Sequence, residues 1–95
     1  MAEKVYVPLA DPAAFEDALD KIERRERGQG GLHAMMRFET LNFADGRRSA
    51  WEVYEAVAAE ALSAGEWYYG RVTPQDVSAA LDAAAAAGAF TVRKR

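Results

Sequence analysis

An S-x-x-E capping box set directly behind an Asp-Gly turn constrains this chain more than any other stretch. In Asp45-Gly46-Arg47-Arg48-Ser49-Ala50-Trp51-Glu52, Asp45-Gly46 reverses the chain and Ser49 opens a helix. At that spacing the Ser49 and Glu52 side chains each satisfy an orphan backbone N–H of the other residue. One helix therefore ends at Phe43 and another starts near Ala50. Thr73-Pro74-Gln75-Asp76 is a second start signal, a cap residue before a proline at the first helical position. These two helices, separated by an aromatic loop and followed by Phe90-Thr91-Val92-Arg93, read as a helix-turn-helix-like module with a terminal strand.

The rest of the chain fits around that module. Lys4-Val5-Tyr6-Val7-Pro8 is a short β-branched and aromatic run, an edge strand that Pro8 ends because it has no N–H to donate. Asp11-Pro12 starts a first helix, in which Phe15, Ala18, Leu19 and Ile22 share one face. Across it, Asp20–Arg24 and Glu23–Arg27 are i, i+4 ion pairs in the favourable order. Gly28-Gln29-Gly30-Gly31 ends that helix as a flexible joint. From Leu32 to about Ala44 the apolar positions Leu32, Met35, Met36, Phe38, Leu41 and Phe43 cover more than one face, the pattern of a central helix. The third helix, about Ala50 to Leu62, has Ala50, Val53, Tyr54, Val57 and Ala61 along one stripe and Trp51, Ala58 and Leu62 along another. In the fourth, about Pro74 to Ala87, Val77, Ala80, Leu81 and Ala84 are the core face, and Gly88 fits the left-handed position that ends a helix.

The expected fold is mostly α and winged-helix-like: four helices with a small two- or three-stranded sheet. Tyr68 to Val72 is expected to pair with Phe90 to Arg93, with Val5 to Val7 as the third strand. At 95 residues the chain is a single domain, 1–95. It comprises an N-terminal strand and helix (1–28), the glycine joint (28–31) and a winged-helix-like core (32–95). Half of the residues are hydrophobic by count, but many are alanine, so the core leans on ten aromatic rings.

Composition excludes several classes of function. A formal net charge of −3 argues against general polyanion binding, which needs a basic field. The chain has no cysteine, so neither a disulfide framework nor a thiolate metal site is available. No apolar run reaches the ~18 residues of a membrane span, and Met1-Ala2-Glu3-Lys4 lacks the layout of a signal peptide. The expectation is a cytoplasmic chain.

No residues form a catalytic constellation. His33 is the only histidine and has no companion ligands at metal-binding spacing, so it reads as a surface residue. Glu52, Glu55, Glu60 and Glu66 lack a nucleophile or base partner and read as solvated charges. The 28–31 glycines lack the preceding strand and the lysine of a phosphate-cradling loop. No catalytic, metal or cofactor-binding residue is expected, and no cofactor. A recognition helix at Gln75 to Ala87 would carry no Lys or Arg, while Asp76 and Asp82 oppose phosphate. Arg47-Arg48 and Arg93-Lys94-Arg95 could touch the DNA backbone without reading sequence.

The aromatic set Trp51, Tyr54, Trp67, Tyr68 and Tyr69 either fills a core short of bulky aliphatics or anchors a partner, and the sequence leaves both open. Two apolar stripes on the third helix exceed what a domain of this size covers. Trp51 and Leu62, with Trp67, Tyr68 and Tyr69 on the loop one turn beyond, are the expected partner-binding residues.

The segments Leu41 to Tyr54, Ser63-Ala64-Gly65-Glu66-Trp67-Tyr68-Tyr69-Gly70 and Val72 to Val77 carry a resemblance. Together they resemble the winged-helix-like C-terminal region of bacterial zinc aminopeptidase-type (transferrin-receptor-like) peptidases, over roughly residues 40 to 90. The resemblance implies an accessory segment beside a catalytic domain. Nothing in this chain matches that domain's zinc ligands, so a peptidase activity would require the chain to be a fragment of a larger enzyme. Two functions follow as expectations. One is a non-catalytic accessory or assembly domain that binds protein, either another copy or a linked or cognate domain. The other is a free-standing winged-helix-like module that takes a peptide by strand addition, with DNA the lesser ligand.

Overall fold

The elements begin where the cap residues sit. The computed structural model describes residues 1–26, 34–65 and 70–95. Its elements run β1 (Lys4–Pro8), α1 (Pro12–Glu26), α2 (Ala34–Phe43), α3 (Ala50–Ala64), α4 (Pro74–Ala86) and β2 (Phe90–Lys94). The described chain is thus mostly helical, four helices with a two-stranded antiparallel sheet.

The boundaries of α3 and α4 have local chemical causes. Asp45 Oδ1 accepts from the N–H groups of Arg47 (2.9 Å) and Arg48 (3.0 Å), which folds the turn, and Gly46 supplies φ of +84°. Ser49 Oγ then accepts from Glu52 N–H at 3.2 Å while Glu52 Oε1 accepts from Ser49 N–H at 2.9 Å, the reciprocal capping box. Thr73 Oγ1 caps α4 through Asp76 N–H at 3.1 Å, with Pro74 in the first turn. At the far end of α4 the Gly88 N–H donates to Ala85 O (3.0 Å) and the Ala89 N–H to Ala84 O (2.9 Å). This is a Schellman closure, with Gly88 at φ +91° in the position a Cβ would strain.

Packing follows the apolar stripes. α2 lies against α3 and α4, α3 against α4, α1 against α4, and α4 against β2. The buried residues of α3 are Ala50, Val53, Val57 and Ala61, and those of α4 are Val77, Ala80, Leu81 and Ala84. From α1, Ala18 is buried, while Phe15 and Leu19 pack onto the core. The Phe15 ring meets Phe90 edge-on, centroids 5.5 Å apart. The thinnest dimension is 19 Å, about two layers of secondary structure.

The sheet differs from the sequence-based expectation. β2 pairs with β1, Lys4 opposite Lys94 through Pro8 opposite Phe90. Gly70 to Val72 lie outside any strand, and Tyr68 and Tyr69 fall outside the described residues. Val72 is buried as a core side chain instead. The strand that joins the termini carries Tyr6, the largest fully buried side chain among the described residues. Its ring is 1% exposed and its hydroxyl donates to the Asp82 carboxylate on α4. On the other edge of β1, Val5 bridges to Ser49, so the strand is stitched to the start of α3.

α2 is central on one side only. Met36, Thr40 and Ala44 are buried, and Thr40 Oγ1 donates to Met36 O at 2.7 Å. Met35 and Phe38 are exposed, so its all-round apolar pattern does not correspond to all-round burial.

Candidate protein-binding surface

The surplus stripe of α3 faces outward. Trp51 is 41% exposed and Leu62 70% exposed. They sit 11 positions apart, three turns and roughly 16 Å along the axis, on the same side of the helix. Ala58 between them is half-buried against the core. Glu55 and Ala59, both exposed, lie along one side of the row, so Trp51 and Leu62 stand at the two ends of a strip that also carries the Glu55 carboxylate.

Trp51 is held in place from two sides. Its backbone N–H, an orphan donor of the first helical turn, donates to Met1 O at 3.3 Å. Its ring lies against Tyr54, centroids 5.0 Å apart and tilted 47°. Tyr54 is half-buried and packs onto the core, so it is both wall and support: its ring limits the rotamers of Trp51 while presenting that ring to solvent.

Polar contacts gather at the N-terminal end of α3. Arg95 Nη1 meets Glu52 Oε1 at 2.7 Å, and Arg93 Nη2 donates to Gly46 O at 3.1 Å. Arg48 lies 5.3 Å from the centre of the Phe43 ring and pairs with Asp45 at 3.5 Å. The Glu52 carboxyl is held below the usual carboxylate range, chiefly by the Ser49 N–H it accepts and then by Arg95. Asp45 is lowered by the N–H groups of Arg48 and Arg47. The arginines of the turn and tail are thus largely engaged within the fold, Arg47 excepted.

Of the expected partner-binding residues, Trp51 and Leu62 are placed on one exposed strip. Trp67, Tyr68 and Tyr69 lie outside the described residues, as do His33, Glu66 and the 28–31 glycines. Sequence reasoning passed over Phe38 (59% exposed) and Met35 on α2. Their signal was the excess of apolar positions on that helix, attributed to burial. Among the described residues no group of three or more His, Cys, Asp or Glu side chains is placed to hold a metal. Nor is any helix among them long and apolar enough to cross a membrane. The chain matches no protein-family model, no curated protein and no solved structure.

Proposed function

We propose that this chain is a non-catalytic association domain whose contact surface is the outer strip of α3, with a second copy of the chain as the partner. The observation that carries the reading is the exposure of Trp51 and Leu62 three turns apart on one capped, rigid helix. At 41% and 70% exposed, Trp51 and Leu62 each forgo only part of the roughly 1.5–3 kcal/mol that full burial of a large apolar side chain supplies. Large apolar groups grouped on one surface mark an interaction site more often than isolated ones do. Tryptophan held by a neighbouring ring is also the kind of anchor that dominates an interface, since little side-chain entropy is lost on binding.

The association with a zinc aminopeptidase-type peptidase is the finer part of this proposal, and the likeness of residues 40 to 90 supports it. The winged-helix-like description belongs with it: α3, α4 and the terminal strand follow in that order.

Sedimentation equilibrium of the wild type and of Leu62→Glu tests the reading. Leu62 makes little contact inside its own chain, so the variant keeps its helical circular dichroism. The wild type is expected to self-associate with rising concentration and Leu62→Glu to stay monomeric. A wild type that stays monomeric throughout, or a variant that associates equally well, overturns the proposal.

A further inference from the structure

The outer edge of β2 offers a second, independent contact, distinct from the α3 strip, and its chemistry can be derived from the register. Leu9 N–H donates to Ala89 O at 3.0 Å and Arg95 N–H to Glu3 O at 2.7 Å. Both pairs continue the register of the sheet. In an antiparallel ladder, directly opposed residues alternate between bonded and non-bonded pairs. The bonded pairs of β2 are therefore the odd-numbered residues, and Phe90, Val92 and Lys94 turn their N–H and C=O groups away from β1. Phe90 is buried, whereas Val92 and Lys94 are exposed. Among the described residues no strand pairs with this edge, which leaves two donors and two acceptors in extended backbone.

The charges beside that edge are of one sign. Lys94 faces Lys4 directly across the sheet, a like-charge pair that destabilises the ladder unless an anion lies near. Neither lysine ammonium has an ion-pair or hydrogen-bond partner among the described residues, although the Lys4 backbone N–H donates to Met1 O at 3.4 Å. Among the described residues the Arg93 guanidinium, on the opposite face, meets only the Gly46 carbonyl oxygen. Glu52 offsets Arg95 alone. Cations at an open edge also repel an identical edge, which disfavours a second copy here.

We propose that the β2 edge pairs with an extended acidic peptide segment, which adds as a third strand through Val92 and Lys94. In antiparallel pairing, the residue opposite Lys94 precedes those opposite Arg93, Val92 and Thr91. A segment reading Glu-Glu-Val-Thr from its N-terminal end then sets carboxylates against Lys94 and Arg93 and a β-branched side chain against Val92. A nucleic acid would meet the same cations but could not use the alternating N–H and C=O groups, so the edge favours peptide.

The test uses the whole chain with a blocked peptide containing Glu-Glu-Val-Thr, followed by amide chemical shifts and calorimetry. Binding is expected to move the Val92 and Lys94 amides and leave the Trp51 indole in place, which separates this site from the α3 strip. Methylating the peptide amides that face β2 should weaken binding at least tenfold, and Lys94→Glu several-fold. Val92→Pro removes one outward N–H without touching a β1 bond and should also weaken it at least tenfold. The methylated peptide and Lys94→Glu decide the matter if Val92→Pro does not fold. Equal binding of the methylated peptide, equal binding of a Lys-Lys-Val-Thr peptide, or no binding at all overturns the proposal. So does a single-stranded oligonucleotide that binds the edge more tightly than the peptide.

Discussion

Replacing Tyr6 with phenylalanine should remove the one hydrogen bond that ties the N-terminal strand to α4. The Tyr6 ring is 1% exposed and its hydroxyl donates to Asp82. A hydrogen bond to a charged acceptor contributes about 1.5–3 kcal/mol. Asp82 is itself exposed, so water replaces the lost donor, and the lower half of that range applies, about 1.5–2 kcal/mol. For a domain of this size that corresponds to a fall in Tm of roughly 6–16 °C. A pH series makes the reasoning specific. Burial raises the Tyr6 hydroxyl well above its ordinary value, with the Asp82 hydrogen bond and charge adding to the effect. The unfolded chain therefore releases the Tyr6 proton first, and the stabilisation present below about pH 10 is lost as the pH rises towards the folded value. The loss runs at about 1.4 kcal/mol per pH unit. Urea denaturation of both proteins from neutral to high pH should show the gap between wild type and Tyr6→Phe closing above about pH 10. A gap below about 0.3 kcal/mol at neutral pH, or one that does not change with pH, would refute the role of this bond.

Three further outcomes follow from the same structure. Ser49→Ala removes the α3 cap and should destabilise the fold by about 1 kcal/mol, read as a lower denaturation midpoint at unchanged slope; an unchanged midpoint would show that the Met1 carbonyl caps α3 sufficiently. Asp45 and Glu52 both titrate lower when folded, so their stabilisation is present above the ordinary carboxylate values. Stability should fall as the pH drops through the lowered values, and Asp45→Asn should flatten that acid limb; an equally steep limb in the variant would count against the Asp45 turn. Because α4 carries no Lys or Arg, gel shifts at physiological salt should show no sequence preference for DNA, and a sequence-dependent shift would contradict this.

How much was legible in the sequence depends on whether the cause was local. Ser49 with Glu52, Thr73 before Pro74, and Gly88 each act on backbone groups within a few residues, so the boundaries of α3 and α4 follow directly from the residues. The buried face of α4 is likewise a matter of helical spacing. The sheet partner is not local. Phe90–Lys94 pairs with a strand at the other end of the chain, and no periodicity distinguishes Lys4–Pro8 from the nearer Tyr68 to Val72. Tyr6 on that strand reaches Asp82 on α4, a contact between residues far apart in sequence that spacing does not reveal. For the candidate surface, two stripes on α3 pointed to an excess, and Trp51 and Leu62 are indeed the exposed pair. The similar excess on α2 was misread because spacing does not reveal which of several apolar faces lacks a neighbour.

The central claim is that the α3 strip is where this chain meets a second copy. Dilution-dependent NMR of the Trp51 indole and the Leu62 methyl groups tests it most directly, because each reports on one end of the strip. Both sets of resonances should shift together as the protein is concentrated, while those of buried Val57 and Leu81 stay in place. Trp51 and Leu62 resonances that do not change with concentration would contradict the account.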